Sequence, residues 1–106
     1  MYYGLDMTPA AAYKRLNRLL WLGRLPKATV QFLDTDALPT CYGITLFDRD
    51  FARPVIFINS ETTHWGKTLV HECIHVAEPT LAHGMVFEML VEAYWRRARK
   101  AIRGLK

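Results

Sequence analysis

The stretch Thr68-Leu69-Val70-His71-Glu72-Cys73-Ile74-His75-Val76-Ala77 sets a physical problem that the rest of the fold has to solve. Leu69, Cys73 and Val76 recur at i, i+4 and i+7, and Val70, Ile74 and Ala77 do the same, so a helix here is apolar on most sides and belongs in a core. His71, Glu72 and His75 interrupt it. Ionisable groups are costly to bury unless they are paired or ligated, and the neighbouring residues supply no partner. Positions i and i+4 share one face of a helix, so His71 and His75 can each aim a ring nitrogen at a common point.

A divalent ion solves the problem. Zn²⁺ takes imidazole nitrogen at about 2.0–2.1 Å, and a catalytic zinc site uses three protein ligands with water in the fourth position. Glu72 is turned about 100° from His71 on the helical wheel, off the line of the ligands but within reach of such a water, which is the place of a general base. Glu78-Pro79 ends the helix, and His83 follows a short turn that lets a second helix return to the open side of the ion. Glu78, on the same face as His71, and Glu88 and Glu92 further on are competing third ligands. Three ligands from one straight helix do not close a tetrahedron, which ranks His83 first. Glu78 is then a group that orients a ligand imidazole, or a solvated helix end.

His71-Glu72-x-x-His75 followed by His83-Gly84-x-x-Phe87 resembles the SprT/Spartan group of zinc metallopeptidases, whose third zinc histidine belongs to an HGxxF segment. The resemblance implies His71, His75 and His83 as ligands of one catalytic Zn²⁺, Glu72 as the catalytic base, and Phe87 as an anchor. It also implies a small twisted sheet over the HExxH helix, with one exposed edge strand bordering the cleft where an extended peptide could add. The chain departs from the family in the short spacer between His75 and His83, which trims the loop over the cleft, and in carrying no C-terminal zinc ribbon.

At 106 residues, 51% of them apolar, the chain is expected to form a single domain over residues 1–106 with one modest core. The expected fold class is α+β: an N-terminal helix, a small three-stranded antiparallel or mixed sheet, the HExxH helix and a C-terminal helix. Met1 to Asp6 has no basic leader, and no apolar run approaches the ~18–20 residues of a membrane span. Cys41 and Cys73 form no CxxC pair, so the expectation is no disulfide framework, a packed Cys73, and the cytosol of a cell or of an infected cell as the compartment.

Thr8-Pro9 caps a scaffold helix over residues 8–22, with Ala12, Leu16, Leu19, Leu20 and Gly23 on its buried face and Gly23 ending it. The period then changes to two across residues 28–59. Thr29-Val30-Gln31-Phe32-Leu33, Cys41 to Phe47 and Pro54 to Ile58 read as strands, the last two forming an antiparallel hairpin across Asp48-Arg49-Asp50. Ser60 or Thr62 is the expected cap of the active-site helix over residues 62–78. His64 lies two turns before His71, over 10 Å away along the axis at a 1.5 Å rise, too far to coordinate the same ion. Trp65 reads as a core or cleft wall.

The final helix covers residues 84–103, with Met85, Met89, Leu90, Ala93 and Tyr94 as its packing face. Arg96, Arg97, Arg99, Lys100, Arg103 and Lys106 then crowd the end of the chain with no acid among them, so the net charge of +4 is a property of this tail. Cations suit a helix C-terminus, and they also suit a phosphate backbone.

The function these residues point to is zinc-dependent hydrolysis of a peptide bond in a protein or peptide substrate, with Glu72 as general base and an oxyanion donor drawn from Tyr42, Tyr94 and His64. The alternative is a zinc-stabilised binding or structural module, with nucleic acid docking on Arg96, Arg97, Arg99, Lys100 and Arg103.

Overall fold

The structure is a computed structural model that describes residues 7–38, 42–47 and 53–106. Thr8 opens the first helix, α1 (Pro9–Trp21), by accepting the Ala11 N–H on its side-chain oxygen at 3.1 Å, and Pro9 stands where a missing N–H costs nothing. Ala12, Tyr13 and Leu16 of α1 are buried, with Leu19 and Leu20 packed at the margin. Gly23 is exposed rather than part of that face, because the chain has already left the helix: Leu22 takes the left-handed position at φ +55°, followed by Gly23 at +79°.

Three strands, β1 (Thr29–Leu33), β2 (Gly43–Leu46) and β3 (Val55–Asn59), form one mixed sheet in the order β1-β3-β2. β3 pairs in parallel with β1 and antiparallel with β2, so the hairpin expected from the sequence is present. Cys41 and the turn Asp48-Arg49-Asp50 lie outside the described residues. Val30, Ile56 and Ile58 are buried on the face that the helices cover, while Ile44 and Leu46 lie on the other face and are partly exposed.

α2 (Trp65–Ala77) starts later than the sequence suggested. Its N-cap is His64, which makes no side-chain capping bond, in place of Ser60 or Thr62. Asn59 explains the delay. Buried at the end of β3, its amide accepts the Glu61 N–H and donates to Thr35 Oγ1 and the Leu38 carbonyl, so residues 59–62 are committed to a turn that ties this loop to the one after β1. Beyond it Trp65 is buried, edge-to-face on Phe32 at 5.2 Å. Leu69, Val70, Cys73 and Ile74 follow as the centre of the core, Cys73 as a free buried thiol.

α3 (Met85–Ala101) buries a different face from the one read from sequence. Met85 and Met89 are 80% and 65% exposed, and Ala93 is exposed as well. The buried ladder is Phe87, Val91, Trp95 and Ala98, continued by Ile102, with Leu90 and Tyr94 packed beside it. Steps of four, four, three and four keep that ladder on one stripe, and burying Phe and Trp removes more apolar surface from water than burying Met and Ala. α1 packs against β1, α2 lies along β2 and β3, and α3 packs mainly on α2 and α1. Among the described residues no helix is long and apolar enough to cross a membrane.

Candidate metal centre

α2 presents His71 and His75 one turn apart, and the chain after it presents His83. The Glu78 N–H closes the helix on the Ile74 carbonyl, Leu81 N–H turns back onto Glu78, and the segment carries His83 across to the same point. His83 Nε2 stands 2.9 Å from His75 Nε2. One ring nitrogen from each of His71, His75 and His83 lies within 4.8 Å of the others. A tetrahedral ion with ligands at about 2.0–2.1 Å holds its donor atoms about 3.3 Å apart. His75 and His83 stand slightly closer than that spacing and all three nitrogens lie within 4.8 Å, a grouping that could hold one metal ion.

Phe87 is the floor of this cluster. It is fully buried, and its ring centroid lies 4.6 Å from that of His71, 4.7 Å from His75 and 4.9 Å from His83. All three rings therefore rest on one side chain, which gives the phenylalanine of the HGxxF segment a physical role. Burial, reinforced by the nearby rings of His75 and His83, lowers the His71 imidazole to about 4, against a weaker opposing pull from Glu88. Burial and His83 lower His75 as well. These two rings are neutral at pH 7, with a lone pair to offer a cation.

Glu72 lies about 100° round the helix from His71, off the line of the two histidine rings. It is 4% exposed, and its Oε1 accepts a hydrogen bond from the Thr45 hydroxyl at 2.6 Å. Burial pushes its carboxyl up to about 7, with the Thr45 bond pulling in the opposite direction. A cleft of about 690 Å³ opens over it, lined by Tyr42, Gly43, Thr68, His71, Glu72 and Glu88 among others. β2 is the edge strand that borders this cleft, which the sequence left unassigned.

The remaining candidates sort by position. The Glu78 side chain is exposed at the end of α2 and lines a groove with Trp21, Ile74 and Tyr94; among the described residues it makes no hydrogen bond to an imidazole. Glu92 is held by Lys67, whose ammonium donates to both carboxylate oxygens at 2.7 and 2.8 Å. Glu88 borders the cleft near His71. Tyr42 and His64 also line the cleft, whereas Tyr94 packs edge-on against Trp21 in the other groove and is no oxyanion donor here. Arg96, Arg97, Arg99, Lys100 and Arg103 are all exposed along α3 and just beyond it, with the Arg99 guanidinium 6.0 Å from the Trp95 ring centre. Sequence reasoning placed Gly43 and Thr45 in a strand without giving either a role at the site, although a small and a polar residue alternate there with Ile44 and Leu46. No family model, curated protein or solved structure matches the chain.

Proposed function

We propose that the chain is a zinc-dependent endopeptidase that cleaves an extended segment of a protein or peptide laid along β2. The observation that carries this reading is the convergence of His71, His75 and His83, together with a cleft that both His71 and the buried Glu72 line. The resemblance of the same two histidine segments to SprT/Spartan peptidases points the same way. Zinc held by the three imidazoles would supply Lewis-acid polarisation of the scissile carbonyl and acidify a water toward neutral pH. The Glu72 carboxylate accepts a proton from the attacking water and delivers it to the leaving nitrogen. A carboxyl whose pKa is near 7 suits a group that must both take and give a proton at neutral pH. Among the described residues β2 pairs with β3 alone, so its other edge offers backbone donors and acceptors to a substrate strand. The buried free thiol of Cys73 is compatible with a reducing cytoplasm.

Zinc content and cleavage of an unbiased peptide library test this reading together. The wild-type chain is expected to bind one zinc and to lose activity to a chelator; Glu72→Gln is expected to keep the metal and lose turnover. Cleavage that survives complete removal of the metal would overturn the assignment.

The exposed arginines and lysine of α3 support a second contact, with nucleic acid. Affinity for duplex DNA should then fall with salt at a slope of about −0.9 per phosphate contacted. Replacing Arg96, Arg99, Lys100 and Arg103 with glutamine should flatten that slope, and a slope already flat in the wild type removes this partner.

A further inference from the structure

β2 carries its side chains the opposite way round from a strand that covers a core. Ile44 and Leu46 lie on the open face of the sheet, while Gly43 and Thr45, in register with Ile58 and Ile56 of β3, lie on the face that α2 covers. An antiparallel strand with one wet face ordinarily turns its apolar residues inward. Here both inward positions meet a specific residue of α2. A Cβ on Gly43 would stand 2.8 Å from Cγ2 of Thr68 and 3.2 Å from the Phe57 carbonyl oxygen, so a residue without a side chain is what lets the strand approach this closely. Two residues on, the Thr45 hydroxyl donates to Glu72 at 2.6 Å.

The spacing of these two contacts is matched. Thr68 and Glu72 are one turn apart on α2, a rise of about 6.0 Å at 1.5 Å per residue. Gly43 and Thr45 are separated by about 6.6 Å at a strand rise of 3.3 Å per residue. Strand and helix therefore run side by side for two consecutive contacts, and the close approach at the first sets the distance at which the second forms.

We infer that Thr45 is a positioning residue for the Glu72 carboxylate, held within hydrogen-bonding distance by the absence of a side chain at Gly43; the inference rests on the peptidase reading of Glu72. A glutamate has three side-chain torsions to fix, and a hydroxyl on Oε1 selects among them while satisfying an acceptor that water reaches poorly. The carboxylate is thereby presented to the cleft in one orientation. β2 thus has two duties, one edge toward the cleft and one inward hydroxyl on the base.

Thr45→Val, Thr45→Ser and Gly43→Ala test this in zinc-loaded protein on a peptide taken from the library cleavage. Thr45→Val keeps the shape and removes the donor, so kcat should fall roughly 10- to 100-fold, as expected when a catalytic group is misplaced by about an ångström. KM and zinc affinity should not change. Thr45→Ser should restore kcat, and Gly43→Ala should lower it without altering any polar group. In metal-free protein the ¹³C signal of the Glu72 carboxyl, assigned by its loss in Glu72→Gln, should move in Thr45→Val and stay in place in Thr45→Ser. Wild-type kcat together with an unmoved carboxyl signal in Thr45→Val overturns the inference. So does a parallel loss of kcat and zinc affinity in the valine and serine variants alike, which marks a purely structural role. A zinc-loaded wild type that cleaves nothing removes the peptidase reading instead, and the carboxyl signal then decides the Thr45 contact by itself.

Discussion

His75 and His83 meet at 2.9 Å between their Nε2 atoms although a helix terminus and a proline lie between them in the chain. At that distance one ring donates an N–H to the other. A cation placed between them replaces that bond with two ligand bonds. His83→Ala should therefore lower zinc affinity by more than the roughly 10- to 100-fold that follows loss of a supporting group around a metal. Competition against a chromogenic chelator measures it. An affinity equal to wild type would make Glu88 or another group the third ligand.

Phe87 carries three histidine rings and is itself fully buried. Truncation to alanine should cost about 3–5 kcal/mol, a large share of the 5–15 kcal/mol typical of a whole domain, so that variant will be close to unfolding. Phe87→Leu is the sharper probe. It keeps most of the buried volume yet loses the flat surface under the rings, so the metal-free protein should remain folded while zinc binds roughly 10-fold or more weakly. Urea unfolding and chelator competition read the two effects separately, and leucine with full zinc affinity would reduce Phe87 to filler.

Glu72 and His71 push the pH dependence of the metal-free protein in opposite directions. The Glu72 carboxyl rises from 4.5 to about 7 on folding, so the folded chain retains a proton that the unfolded chain gives up; stability from this group is greatest below pH 4.5 and is lost as pH climbs to about 7. The His71 ring falls from 6.5 to about 4, so its contribution is present above pH 6.5 and is lost as pH drops toward 4. Between about pH 4.5 and 6.5 the two offset each other. Glu72→Gln removes one of them. Each tenfold change in proton affinity on folding is worth about 1.4 kcal/mol, so at pH 8 the metal-free variant should be more stable than wild type by up to about 3 kcal/mol, and the difference should vanish in acid. A gap between the two proteins that stays constant across a pH series of urea unfolding curves would rule out burial of the glutamate as its cause.

The parts of this arrangement that are visible in the amino-acid order are those that depend on spacing along one element. His71, Glu72 and His75 declare themselves within a single turn, Thr8-Pro9 marks a helix start, and the change of period to two marks the strands. The buried face of α3 is not legible in this way, because Met85, Met89 and Ala93 form an apolar stripe as plausible as Phe87, Val91 and Trp95; only packing against α2 and α1 selects the larger rings. The start of α2 is hidden because Ser60 and Thr62 are both good caps, while the side chain of Asn59 commits the turn by bonding to residues on a different loop. Thr45 escapes notice for the same reason: its partner Glu72 is 27 positions away, and the register that brings them together is a property of packing.

Gly66 gives a case in which two effects of opposite sign can be weighed. It lies in the first turn of α2, where its N–H donates to the Lys106 carbonyl and the end of the chain packs across it. Alanine there would ordinarily gain about 0.5–1 kcal/mol, because glycine loses more backbone freedom in a helix than any other residue. A Cβ at this position, however, would stand 2.7 Å from the Lys106 carbonyl oxygen and 2.8 Å from Cγ of Leu105. The first of these is backbone and cannot swing aside as a side chain can. Overpacking of this kind costs about 1–3 kcal/mol, so the clash should win and Gly66→Ala should be destabilising despite its better helix propensity. Residues 105 and 106 should leave the start of α2 in that variant, with faster amide exchange at Gly66 reporting the loss of its acceptor. Zinc affinity should hold, because His71 lies more than a turn further along the helix. A more stable Gly66→Ala with protected amides would mean that the chain end yields easily and contributes nothing to holding α2 in place.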